Sequence, residues 1–258
     1  MTSAALSGPD TPAAGGWRQL PGPGGLSLRC WWACPADRPP RAGVLVLPEV
    51  FGLNAWVRGV AERLAGEGYG ALAMPIFART APDLQVGYDA AGLAAGREHR
   101  DRVSAAGFLA DARAAIAWLR RQPGLERPVG CLGFCFGGHL AMLAATLPEV
   151  AATCSAYGAR VASFRPGGGE PTLAEVPRIP GHLLCLVGDQ DALMPAAEVA
   201  AIGAALAADG ARRPQLERRL SVASGAGHGF LCDARGDYRP QAAALAWQEM
   251  LELLARRL

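Results

Sequence analysis

The chain has 258 residues, 51% of them apolar and 19% charged, with 33 glycines and 20 prolines. That excludes a coiled coil, a collagen-like repeat and a disordered chain, and it fits one large domain. The 25 basic and 23 acidic residues leave a net charge of +2, and no basic stripe with interleaved aromatics marks a nucleic-acid partner.

Every basic side chain is Arg. Without Lys there is no amine for a Schiff base or a phosphate-binding P-loop. Residues 1–25, rich in Gly, Pro, Ser, Thr and Ala, read as a flexible or loosely docked N-terminal segment ahead of a single domain over 26–258. The first basic residue is Arg18, so no cationic stretch leads into an apolar one and no signal peptide is read.

Strands are predicted at 26–33, 43–47, 70–74, 129–132, 151–155, 182–187 and 216–222. Several are short and apolar throughout, as strands covered on both faces should be. Helices are predicted at 55–66, 100–121, 136–147, 195–209 and 240–257. Pro195 suits a first helical turn, and Gly210 is a stop signal. The alternation implies an α/β fold: a mostly parallel central sheet, helices on both faces, and right-handed crossovers. Residues 129–148 carry no formal charge and approach the length of a membrane span. They hold His139 and a Gly-rich turn, and read better as a buried strand, turn and helix, with no membrane partner.

Seven cysteines stand at positions 30, 34, 131, 135, 154, 185 and 232, mostly inside apolar runs. Their odd number and placement imply reduced structural thiols and a cytoplasmic setting. Cys30 and Cys34 have no second Cys or His pair at zinc spacing, so no metal is expected. No cofactor motif is present either.

The informative segment is Gly133-Phe134-Cys135-Phe136-Gly137-Gly138, which follows one predicted strand and opens a helix. It has the nucleophile-elbow spacing with Cys in the Ser position. Small residues two before and two after the nucleophile let the strained turn pass its neighbours. The helix N-terminus favours a thiolate, and the Phe136 amide would meet a developing oxyanion. The order that goes with such an elbow is nucleophile, acid, His. Downstream lie Gly188-Asp189-Gln190-Asp191, an acidic turn after an apolar strand, and Gly225-Ala226-Gly227-His228-Gly229-Phe230, a Gly-rich loop after the next strand. Asp189 and Asp191 both remain candidates for the acid. His99 reads as a surface residue, His139 as packing in the elbow helix, and His182 as structural.

These segments, together with Pro48-Glu49-Val50-Phe51-Gly52-Leu53-Asn54, resemble the dienelactone hydrolase (carboxymethylenebutenolidase) family of α/β-hydrolases. The likeness runs from about residue 26 to the end, and the Glu-x-Phe-Gly-x-Asn run beside a Cys elbow is its most specific part. The resemblance implies an α/β-hydrolase fold and hydrolysis of small lactones or esters through an acyl-enzyme. It implies Cys135 as nucleophile, His228 as base and Glu49 as an extra carboxylate. Asp191 becomes the acid through its place four residues before Pro195. The backbone amides of Val50 and Phe136 become oxyanion donors. In the family a neutral resting thiol faces the Glu, which takes its proton when substrate binds. Family members also hold a substrate carboxylate with arginines, one of them four residues after the His. That position here is Cys232, which leaves Arg235 and Arg79 as substrate-binding candidates and the 97–102 stretch (Arg97, Arg100, Arg102) unplaced. Phe51, Trp56, Phe77, Phe134 and Phe136 are candidate pocket aromatics. The partner expected is a small-molecule lactone or ester, with the chain a monomer or small homo-oligomer. Two other classes stay open: a non-catalytic ligand-binding or regulatory protein on the same scaffold, and a thioesterase.

Overall fold

The computed structural model describes residues 15–258. Two antiparallel strands come first, β1 (Gly16–Pro21) and β2 (Ser27–Ala33). Then follow β3 (Gly43–Leu47), α1 (Ala55–Gly66), β4 (Gly70–Ala73), α2 (Ala90–Arg100) and α3 (Ala105–Leu119). The second half alternates: β5 (Val129–Phe134), α4 (Phe136–Ala144), β6 (Val150–Ala156), β7 (His182–Gly188), α5 (Ala196–Arg212), β8 (Arg218–Ala223) and α6 (Pro240–Arg257).

The strands form one eight-stranded sheet in the order β1-β2-β4-β3-β5-β6-β7-β8. β2 runs antiparallel to β4, and every pairing from β4 across to β8 is parallel. Side chains alternate between the faces, as strand geometry requires. In β3, Val44 and Val46 join the core beneath α1 and α6, while Leu45 and Leu47 join the core beneath α3. α1 contributes Val57, Ala61 and Leu64 and α6 contributes Trp247, Met250 and Leu254 on one side; α3 contributes Phe108, Ala112 and Ile116 on the other. The sheet is therefore covered on both faces, as the apolar strands imply. This is an α/β-hydrolase architecture.

The structure departs from the sequence expectations at three points. Of the predicted flexible segment 1–25, residues 1–14 lie outside the described residues. Gly16–Pro21, however, is ordered as β1, whose Trp17 packs edge-on against Trp31 of β2 at 5.2 Å between ring centroids. Buried Leu20 does the rest, which Gly and Pro on either side conceal in a composition count. The single helix over 100–121 is two: α2 ends at Arg100, and Ser104 caps α3 by accepting from the Gly107 N–H at 3.1 Å. α2 itself has no counterpart in the sequence reading, because Ala and Gly give its buried face (Gly92, Gly96) no apolar periodicity.

Residues 129–148 form β5, a turn and α4, and no helix among the described residues is long and apolar enough to cross a membrane. All seven cysteines are unpaired, and five are buried.

Candidate active site

The turn between β5 and α4 places Cys135 in a left-handed backbone conformation, φ 54° and ψ −121°. Such a conformation costs a non-Gly residue about 1–3 kcal/mol and must be held by its surroundings. The holding is visible. The Cys135 N–H donates to the Ala156 carbonyl at 3.0 Å. A Cβ on Gly133 would strike the Gly137 carbonyl, and one on Gly137 would strike those of Leu47 and Pro48. Only glycine fits at both positions. Cys135 is half-buried and lines a cavity of about 300 Å³ at the C-terminal edge of the parallel strands, where ligands of open α/β sheets bind.

His228, from the loop between β8 and α6, lines the same cavity. Its Nδ1 lies 2.8 Å from Asp191 Oδ2, and the other Asp191 oxygen accepts from the Leu193 N–H at 2.8 Å. Tyr157, the residue after β6, packs its ring against the imidazole at 5.2 Å between centroids. Nε2 is buried and has no hydrogen-bond partner among the described residues. Burial works against a charged ring, but Cys135 and the Asp191 carboxylate outweigh it and push the His228 pKa up to about 10.

Asp189 does something else. It accepts from Ser224 Oγ at 3.1 Å and the Gly225 N–H at 2.7 Å, tying the acidic turn to the start of the His228 loop. It makes no contact with the imidazole. The two aspartates thus separate by geometry alone.

Glu49 follows β3 and is buried to 1% exposure. One oxygen accepts from Arg235 Nη1 at 2.9 Å; the other has no partner among the described residues. Burial raises the Glu49 pKa, with the Arg235 and His228 charges opposing it. Gly229 has φ 83°, and a Cβ there would collide with the Arg235 guanidinium. A glycine after His228 is what lets Arg235 reach Glu49. Val50 and Phe136 also line the cavity, and neither N–H has a hydrogen-bond partner among the described residues.

Arg79 is not at the cavity. Its guanidinium grips Asp111 of α3 with two bonds of 3.0 and 2.8 Å, fastening the segment after β4 to that helix. A buried carboxylate within reach holds this substrate-binding candidate, and Arg79 is not among the residues that line the cavity. Arg97 and Arg100 of α2 do line the cavity, and so does Arg160 from the loop after β6, which sequence reasoning passed over. Its place just beyond a parallel strand was the available signal. Of the candidate aromatics, Phe51 and Phe136 line the cavity, whereas Trp56, Phe77 and Phe134 pack elsewhere. His139 is buried, with Nδ1 2.9 Å from the Ala159 carbonyl and Nε2 2.7 Å from Thr172 Oγ1.

A family model described as the dienelactone hydrolase family matches residues 28–258. The chain belongs to the dienelactone hydrolase family. A Synechocystis protein named "Putative carboxymethylenebutenolidase" is 40% identical over 216 residues, covering 83% of this chain and 86% of that protein. The carboxymethylenebutenolidase of Pseudomonas putida is 30% identical over 226 residues, covering 84% and 86%. Among solved structures, a Klebsiella pneumoniae protein titled "Putative Dienelactone Hydrolase" superposes with a TM-score of 0.83 at 26% identity, over 94% of this chain and 98% of that one. The chain is an ester or lactone hydrolase of this family, built on the family's fold.

Proposed function

We propose that the chain hydrolyses small lactones or esters through a Cys135–His228–Asp191 triad and a thioester on Cys135. The observation that carries this reading is the convergence, at one cavity, of a sulfur on a strained elbow and an imidazole held by a buried aspartate.

At rest Glu49 is paired with Arg235. A substrate carboxylate entering the cavity competes for Arg235 and frees Glu49, whose raised pKa makes it a ready acceptor for the Cys135 proton. The sulfur attacks the carbonyl carbon, and the charge that develops on oxygen meets the Val50 and Phe136 amides. His228, held protonated by the Asp191 carboxylate and, once it forms, by the Cys135 thiolate, gives its proton to the leaving oxygen. Water then attacks the thioester, returning a proton to His228 and releasing the acid. Glu49 gives its proton back to the sulfur, which closes the cycle.

The test is a panel of p-nitrophenyl esters, a lactone and a thioester run on the parent and on Cys135→Ala. Loss of about 10³-fold or more in kcat/KM on the lactone and oxygen esters is expected. A Cys135→Ala protein as active as the parent would end the reading, and turnover of the thioester alone would replace it with a thioesterase.

A further inference from the structure

The cavity carries more positive charge than the proposed chemistry uses. Arg235 is neutralised by Glu49. The same cavity is lined by Arg97 and Arg100 from the last turn of α2 and by Arg160 from the loop after β6, with Arg97 and Arg160 exposed at its rim. Arg100 Nε donates to Asp101 Oδ1 at 2.8 Å. Arg97 and Arg160 make no side-chain hydrogen bond or ion pair among the described residues. Asp101 sits within the field of all three: its carboxyl is held below the usual range by the Arg100 hydrogen bond, slight burial opposing, with Arg100, Arg160 and Arg97 adding their charges. Asp89, the aspartate that lines the cavity, is occupied as the α2 cap, accepting from the Gly92 N–H at 2.7 Å.

A cation at the end of a helix needs no ligand to explain it, since it meets the negative pole of the dipole. That accounts for Arg97 and Arg100. It does not account for Arg160, which follows a strand and has φ 65°, a conformation that glycine adopts freely and an L-residue resists. Its guanidinium lies over the Phe164 ring, 4.6 Å from the centroid, with no carboxylate bonded to it. Phe164 in turn packs on His139, whose bond to the Ala159 carbonyl holds the backbone just before Arg160. A strained residue, braced from behind and presenting an unpaired cation to a cavity, is placed for an anion.

We infer that Arg160 and Arg97 form a second anion subsite at the cavity rim, so that the preferred substrate carries two acid groups, one for Arg235 and one for this pair. The inference rests on the hydrolase reading for the word substrate, but not for the subsite itself.

Two measurements keep them apart. The first compares p-nitrophenyl butyrate, mono-p-nitrophenyl glutarate and the p-nitrophenyl ester of tricarballylic acid, which bear none, one and two free carboxylates. In Arg160→Gly, which suits the backbone and removes the cation, the kcat/KM ratio of the two-acid ester to the neutral ester is expected to fall about tenfold, and Arg160→Lys to restore most of it. An unchanged ratio in Arg160→Gly overturns the inference. The second is calorimetric binding of tricarballylate, which needs no turnover. Affinity about tenfold weaker in Arg160→Gly supports the subsite even if no ester is hydrolysed, in which case the hydrolase reading alone fails. Equal affinity in parent and variant removes the subsite and leaves that reading standing.

Discussion

Replacing each of the two aspartates of the acidic turn by asparagine separates catalysis from loop anchoring, because the two side chains have the same size and different partners. Asp191 is 5% exposed, and its Oδ2 lies 2.8 Å from His228 Nδ1, placed to accept a hydrogen bond from it. In Asp191→Asn the amide can offer Nδ1 a donor in place of an acceptor. The ring then holds its proton on Nε2, and its charged form loses the aspartate that helps sustain it. A loss of about 10³–10⁴ in kcat is expected, or about 4–5.5 kcal/mol of transition-state stabilisation. Asp189→Asn keeps an acceptor for the Gly225 N–H, meets Ser224 Oγ with an amide N–H donor in place of the second oxygen, and gives up the charge. Its cost is about 1 kcal/mol of stability, with kcat within about fivefold of the parent. Initial rates on p-nitrophenyl acetate, with urea titrations of both variants, read the two effects separately. If Asp189→Asn is the inactive one, or if Asp191→Asn keeps more than about a tenth of the parent rate, the assignment is wrong.

Glu49→Gln leaves Arg235 without its counter-charge and Cys135 without a proton acceptor; kcat on the same ester should fall about 10²–10³-fold while Cys135→Ala stays lower still, and a Glu49→Gln rate equal to the parent's would remove Glu49 from the mechanism. His139 is buried and neutral, with its pKa pushed down to about 4 by burial. Because that lies below its unfolded value of 6.5, the stability it supports is complete above pH 6.5 and is lost as pH falls toward 4, in total about 3 kcal/mol. Urea titrations at pH 7 and pH 4 should show the parent losing that much more than His139→Gln; equal losses would refute it.

Much of the molecule is legible locally. The apolar runs of β3 through β7 and the capped or proline-started helices announce themselves within windows of a dozen residues. The glycine spacing around Cys135 encodes a strained turn because a Cβ at either glycine meets backbone. Family resemblance extends that to Glu49, Asp191 and His228; the structure sets Cys135 and His228 on one cavity, with Asp191 behind His228 and Glu49 behind Arg235, which also lines it. β1 and α2 escape the same reading, since one is flanked by glycine and proline and the other shows small residues to the core.

By itself, then, the sequence determined the sheet order's raw material, the elbow and the order of the reactive residues along the chain, because spacing and local sterics act between near neighbours. Local sequence left Asp189 and Asp191 level until the family resemblance chose between them, and tertiary structure alone decided that Arg79 belongs to Asp111 and that Arg235 reaches a carboxylate 186 residues away. It also brought Arg160 to the rim. Ion pairs are chosen by distance in space, and a string of residues does not state which distant guanidinium will arrive first.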